Sequence, residues 1–262
     1  MDFKTLLFNV KDGVAEITIN RPDANNSLDL ACAKDLMDAA IRCDTDPEIR
    51  AVIITGSKNT FCPGGDLKSF HAHENRLTSH LKEVTTYLHA AISRFARGDA
   101  PVITAVNGVA AGAGFSLACV GDIIIAGKSA RFTSAYTGVG LSPDGALTYF
   151  LPRMVGVKRA SELTLTNPVL SADTAMEWGI VARVVADADL LTEAWALASK
   201  LASGPTRAFG TTKRLLDSGC TETLETQMEL ESRALACAAD TMDAKTGIVA
   251  FIERRKPEFT GD

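Results

Sequence analysis

Nowhere in the chain do about 18 apolar residues run together, which excludes an ordinary membrane-spanning helix. The start, Met1-Asp2-Phe3-Lys4, lacks the basic residues and apolar stretch of a secretory leader. None of the six cysteines (Cys32, Cys43, Cys62, Cys119, Cys220 and Cys237) forms a Cys-x-x-Cys pair. Their spacings match no zinc pattern, so no metal site is expected. Two lie in apolar helical patterns, and buried free thiols in a reducing compartment are the simplest reading. An excess of positive charge is missing as well. With 27 Lys and Arg against 32 Asp and Glu, the formal net charge is −5, which gives no electrostatic grip on a phosphate backbone. These absences lead us to expect a cytoplasmic protein with neither a membrane nor a nucleic-acid partner. Lys158-Arg159 and Glu253-Arg254-Arg255-Lys256 stand out as local basic clusters that suit an anion.

What is present is enough for one large core: 262 residues, 46% of them hydrophobic. Residues 6–10 and 14–20 read as a hairpin about Asp12-Gly13. Ser27 is a candidate cap for a helix over 29–42. Ala51 to Thr55 and Pro101 to Val106 are continuous apolar strands of the kind buried on both faces, with further strands over 122–126, 130–133 and 181–185. Leu77, Leu81, Val84, Leu88, Ile92 and Phe95 recur at helical spacing until Gly98. A short helix over 115–120 follows the second strand. From Pro143 onward helix dominates, over 144–154, 157–166, 172–178, 188–203, 206–218, 222–238 and 241–255, with Gly204-Pro205 as the best boundary. The recurrence of strand, glycine loop and helix predicts stacked strand–strand–helix units, not one flat doubly wound sheet.

The two glycine loops carry the chemistry. Gly64-Gly65 and Gly112-Ala113-Gly114 both sit where a strand turns toward a helix. The first amides of a helix have no intrahelical acceptor and carry the positive end of its dipole. Glycine lets a ligand oxygen approach them closely. If the two strands are neighbours, one amide from each loop can point at the same oxygen, which is an oxyanion hole. Either loop taken alone is equally an ordinary turn. The second loop is not a dinucleotide fingerprint, because its third glycine is missing.

Phe61-Cys62-Pro63-Gly64-Gly65-Asp66-Leu67, Pro101 to Gly108, Gly112-Ala113-Gly114 and Gly121-Asp122-Ile123-Ile124-Ile125-Ala126, with Glu177-Trp178-Gly179-Ile180-Val181 and Phe251 to Pro257, resemble the crotonase (enoyl-CoA hydratase/isomerase) superfamily along nearly the whole chain. The resemblance implies an α/β fold: a spiral of ββα units over 1–204 that binds acyl-CoA, then a helical oligomerisation segment over 205–262, assembled as a homotrimer or a dimer of trimers. It places the oxyanion amides at Gly65 and Ala113 and an acyl-CoA contact segment at Gly65-Asp66-Leu67-Lys68. Arg21 and Lys68 become candidates to face the CoA phosphates, joined by a basic residue among Arg254 to Lys256 from a neighbouring subunit. No cofactor is implied, coenzyme A being part of the substrate.

The family's hydratases use two glutamates, and those positions here are Ser116 and Tyr136, neither of which can act as a carboxylate base. Gly140-Leu141-Ser142-Pro143-Asp144-Gly145 instead resembles the segment of the aspartate-type isomerases related to the phenylacetate-pathway epoxy-CoA isomerase, which makes Asp144 the candidate acid/base. The nucleophilic aspartate of 4-chlorobenzoyl-CoA dehalogenase falls at the same place. Ser142-Pro143-Asp144 also reads as a plain helix start, with Ser142 as cap. Its amides would keep the carboxylate ionised, so capping and catalysis are compatible. One-base movement of a double bond from 3-enoyl-CoA to 2-enoyl-CoA is the expected reaction. Its alternatives are an aryl-CoA dehalogenase or hydrolase with Asp144 as nucleophile, and a weak hydratase. His89, at the edge of the apolar stripe, is either a surface residue or the water activator of the hydrolytic route. A non-enzymatic RNA-binding or scaffold homologue would need a basic face that the acidic charge does not supply. The acyl pocket is expected from Phe70 to Leu81 and near Phe150.

Overall fold

The computed structural model describes residues 3–262. Asp12 and Gly13, at φ 50° and 78°, turn the chain tightly between β1 (Leu6–Lys11) and β2 (Val14–Ile19). The left-handed pair matches the right-handed twist of the two strands. Next come α1 (Leu30–Thr45), β3 (Ala51–Gly56), α2 (Leu67–Ala72), α3 (Leu77–Arg97), β4 (Val102–Val106), β5 (Val109–Ala111) and α4 (Ala113–Ala118). The remaining elements are β6 (Ile123–Gly127), β7 (Arg131–Thr133), α5 (Leu147–Thr166), β8 (Leu170–Ser171), α6 (Ala172–Glu177), β9 (Arg183–Val185) and α7 to α10 (Leu190–Ala202, Thr206–Ser218, Leu224–Ala239 and Met242–Ile252).

One sheet has the order β1-β2-β3-β4-β6-β9, antiparallel between β1 and β2 and parallel elsewhere; β5-β7-β8 form a second, smaller sheet. The apolar runs of β3 and β4 are buried on both faces, as parallel strands require. Ala51, Ile53, Ile103 and Ala105 pack with Leu190, Ala194 and Ala198 of α7. Their neighbours Val52, Ile54, Val102 and Val106 join the larger core with α1 and α3. The period of two along each strand thus sorts side chains between two helical layers.

Several expected boundaries move. Asp29, not Ser27, caps α1 by accepting the Cys32 amide at 2.8 Å. The helix expected over 144–154 begins only at Leu147, because Gly145 and Ala146 both adopt left-handed backbone, at φ 61° and 60°. Helical φ/ψ is broken again at Gly156. The helix expected over 115–120 occupies Ala113–Ala118. Two strands, β5 and β8, and the six-residue α2 had no counterpart in the reading. Cys220 and Cys237 are exposed, while the other four thiols are buried. Among the described residues no helix is long and apolar enough to cross a membrane.

The first glycine loop is stitched to β5. The Cys62 amide donates to the Val109 carbonyl at 2.9 Å and the Ala111 amide to the Cys62 carbonyl at 3.0 Å. Such contact requires glycine in α4: a Cβ on Gly114 would lie 1.9 Å from the Cys62 carbonyl oxygen. Gly114→Ala is therefore expected to destabilise the fold by about 3 kcal/mol, the upper range for overpacking. A urea titration reads this as a lowered midpoint at constant slope; an unchanged midpoint would place slack where the contact is drawn.

Candidate active site

β3 and β4 are hydrogen-bonded neighbours, so the loops after them leave the same end of the sheet side by side. Gly64, at φ 109°, turns the first loop so that a Cβ there would meet the Ala113 nitrogen at 3.5 Å. The loop is clamped on its other side by Leu28, whose amide donates to the Gly64 carbonyl and whose carbonyl accepts from the Asp66 amide, both at 2.8 Å. The Gly65 amide between them is left over. The Ala113 amide opens α4 and has no intrahelical acceptor. Among the described residues neither amide donates to a backbone or side-chain acceptor. Both residues border one cavity of about 280 Å³.

That cavity is mainly apolar. Phe70, Leu81, Val84, Leu88, Val139 and Leu141 line it, and Tyr136 and Asp144 stand in its wall. Phe70 stands close against Gly65, where a Cβ would meet its ring at 2.6 Å. Of the lining expected from Phe70 to Leu81 only those two end residues border the cavity, and Phe150 lies elsewhere, in a second cavity of about 550 Å³ bordered by His89 and Ala146. Val84 and Leu88 were readable only as core, because one apolar helical stripe serves both the core and the cavity.

Asp144 is not a helix cap. With the left-handed residues behind it, its carboxylate meets side chains instead of helix-start amides. The Tyr136 hydroxyl donates to Oδ1 at 2.5 Å. Ser116 Oγ lies 2.9 Å from the same hydroxyl and donates to the Asp144 carbonyl at 2.8 Å. His89 reaches the site from α3: its Nε2 accepts the Gly145 amide at 3.1 Å and lies 3.6 Å from Asp144 Oδ2. That second approach would be an ion pair only with a protonated ring. The Gly145 amide occupies the nitrogen's lone pair, so the geometry is that of a neutral imidazole with its proton on Nδ1. Among the described residues Oδ2 is then the carboxylate oxygen without a donor.

The candidate phosphate-facing residues separate. Arg21 is turned inward and committed: it pairs with Asp29 at 2.7 Å and Asp66 at 3.1 Å and donates to the Ser27 carbonyl. Two carboxylates already neutralise it. Asp66 caps α2 through the Ser69 amide. Burial pushes its carboxyl up, but that amide and Arg21 outweigh burial and hold it below the usual carboxylate range. Leu67 and Lys68 are exposed on α2; Leu67 borders the cavity, and Lys68 makes no salt bridge among the described residues. Burial pushes the Cys62 thiol up to about 12, so it is no nucleophile despite its place in the loop. In the basic clusters, Arg159 lies over the Trp178 ring at 4.8 Å and Arg255 pairs with Glu253 at 2.6 Å.

Paired free amides on two adjacent glycine loops, over an apolar cavity with one carboxylate, belong to a known class. The chain is a member of the enoyl-CoA hydratase/isomerase family, whose sequence profile matches residues 9–262. It is 39% identical over 257 residues to the 1,2-epoxyphenylacetyl-CoA isomerase of Escherichia coli (strain K12), covering 98% of each chain. It is 34% identical over 221 residues to 4-chlorobenzoyl coenzyme A dehalogenase-2 of an Arthrobacter species, covering 84% of this chain and 80% of that one. The crystal structure of an enoyl-CoA hydratase from Polaromonas sp. JS666 superposes with a TM-score of 0.92 at 31% identity, over 97% of this chain and 99% of the other. The crotonase-like α/β fold expected from the sequence is the fold observed.

Proposed function

We propose that this enzyme moves a double bond in an acyl-CoA thioester, converting a 3-enoyl-CoA to its 2-enoyl isomer with Asp144 as the single base. The observation that carries the reading is the placing of two unengaged amides, Gly65 and Ala113, on the same cavity as a carboxylate oxygen without a donor. The thioester oxygen sits between the amides. Asp144 Oδ2 takes the acidified C2 proton, and the C–H electron pair passes into a dienolate whose charge collects on the thioester oxygen. The same carboxyl returns the proton to C4, and the double bond comes to rest between C2 and C3. Each amide that meets the developing charge contributes about 2.7–4 kcal/mol of transition-state stabilisation.

No cofactor beyond the substrate's own coenzyme A takes part. Lys68 is the cation offered to the CoA phosphates, with a basic residue among Arg254 to Lys256 of an adjoining subunit. Leu224, Leu235, Phe251 and Ile252, all at least 70% exposed on the C-terminal helices, support assembly as a homotrimer or a dimer of trimers. Incubation with 3-enoyl-CoA thioesters tests the reaction by mass spectrometry and chromatography. The expected result is a product of unchanged mass and shifted retention; mass gain by one water would replace this reading with hydration.

One observation favours a second reading. His89 stands within 3.6 Å of Asp144 Oδ2, where its Nε2, once released from the Gly145 amide, would activate water after attack by Asp144 on an aryl carbon. Repeated release of chloride from 4-chlorobenzoyl-CoA, reduced in His89→Gln to a single burst that leaves an aryl ester on Asp144, is the expected signature of that route; absence of chloride release leaves the isomerase.

A further inference from the structure

We propose that Tyr136, backed by Ser116, is a positioning residue that locks Asp144 so that only Oδ2 exchanges a proton with substrate, and the proton taken from C2 is the one delivered to C4. The inference rests on the one-base isomerisation reading and deepens it. Oδ1 receives the phenol proton at 2.5 Å. The phenol remains a donor, since burial and the adjacent Asp144 charge both push its ionisation far above the usual tyrosine value. Ser116 has one hydroxyl proton, and with Tyr136 donating to Oδ1 the short bond at 2.8 Å spends it on the Asp144 carbonyl. The backbone and one carboxyl oxygen of Asp144 are thereby fixed together. Ser116 is fully buried and Tyr136 is 8% exposed, so bulk water does not reach Oδ1 from their side. His89 does not compete, because its Nε2 is an acceptor for the Gly145 amide.

A carboxyl held at one oxygen cannot rotate to present its acquired proton to solvent. Removal of the phenol oxygen frees that rotation and adds a site for water. The two residues that stand at the hydratase glutamate positions therefore act here against water, by occupying the space and hydrogen-bonding capacity a nucleophilic water would need.

The test uses a 3-enoyl-CoA deuterated at C2, turned over in ordinary water, with deuterium at C4 of the product read by mass spectrometry. In the wild type most of the label is expected at C4. In Tyr136→Phe, kcat is expected to fall about tenfold, as for loss of a hydrogen bond to a charged group, with KM within about twofold and the label largely lost to solvent. A merely structural tyrosine would slow turnover without altering label retention. Ser116→Ala, which keeps the phenol but loosens it, is expected to lose part of the label; it decides the matter should Tyr136→Phe not fold. Wild-type turnover with no label at C4, or full retention in the folded variants, overturns the proposal. Absence of any isomerisation in the wild type would instead remove the function on which it rests.

Discussion

Asp144→Ala is expected to lower isomerisation about 10³-fold, within the range for loss of a general acid/base, while affinity for a CoA ester stays within about twofold. The structure separates these two quantities. In the proposed mechanism the thioester is held by the Gly65 and Ala113 amides, and no hydrogen bond joins the Asp144 side chain to either loop. Its carboxylate contacts are the Tyr136 hydroxyl and the edge of His89. Neither supports a helix end, because α5 starts beyond the left-handed pair Gly145 and Ala146. In the variant, the phenol proton released from Oδ1 turns to Ser116 Oγ, 2.9 Å away, so little unsatisfied polarity is created. Asp144→Asn, which preserves shape and loses basicity, serves as the companion measurement. Equal rates in wild type and either variant would remove Asp144 from the mechanism; unchanged rate with raised KM would make it a binding residue.

Ala113→Pro is the second large effect. It deletes one oxyanion donor and nothing else from the hydrogen-bonding pattern, since that amide donates to no other group among the described residues. Proline is accepted at the first position of a helix, where its fixed φ suits the backbone and its missing N–H is not needed. Residue 113 is that position of α4, and the residue before it is a glycine, the least restricted partner for proline. The expected result is a loss of about 10²–10³ in kcat, or about 2.7–4 kcal/mol, with the urea midpoint nearly unmoved. Ala113→Gly keeps the amide and is expected to retain most of the rate. A proline variant as fast as the wild type would mean that the thioester oxygen binds elsewhere.

The fold, and the meeting of the two glycine loops on one cavity, were legible because they depend on local signals. Two wholly apolar strands ending in glycine loops identify parallel neighbours with free amides between them. The C-terminal helices declare themselves by period, and the expected gap after residue 154 meets the break at Gly156. What escaped was set by contacts distant in sequence. Nothing near Arg21 announces that Asp66, 45 residues later, will join Asp29 in neutralising it. Ser142-Pro143-Asp144 is a good helix start by composition, and Ala146, with no intrinsic preference for left-handed backbone, gives no warning that the helix waits until Leu147. The bond between Tyr136 and Asp144 spans eight residues across a tight 3₁₀ turn at Thr137–Val139, too irregular for periodicity to reveal. His89 was undecidable because its partner is the Gly145 amide, which faces it only as a result of that same irregular loop. β5 and β8, of three and two residues, are too short to leave a pattern.

In the proposed mechanism the thioester-activating amides belong to the loop after β3 and to the start of α4 after β5, whereas the proton-handling group is carried by the separate segment 140–146. Two replaceable parts therefore meet over one cavity, and the first is insensitive to what the second contains. A lineage can exchange the reactive side chain at position 144 while inheriting carbonyl polarisation intact. Isomerase, dehalogenase and hydratase names among relatives of one frame are what such modular construction produces.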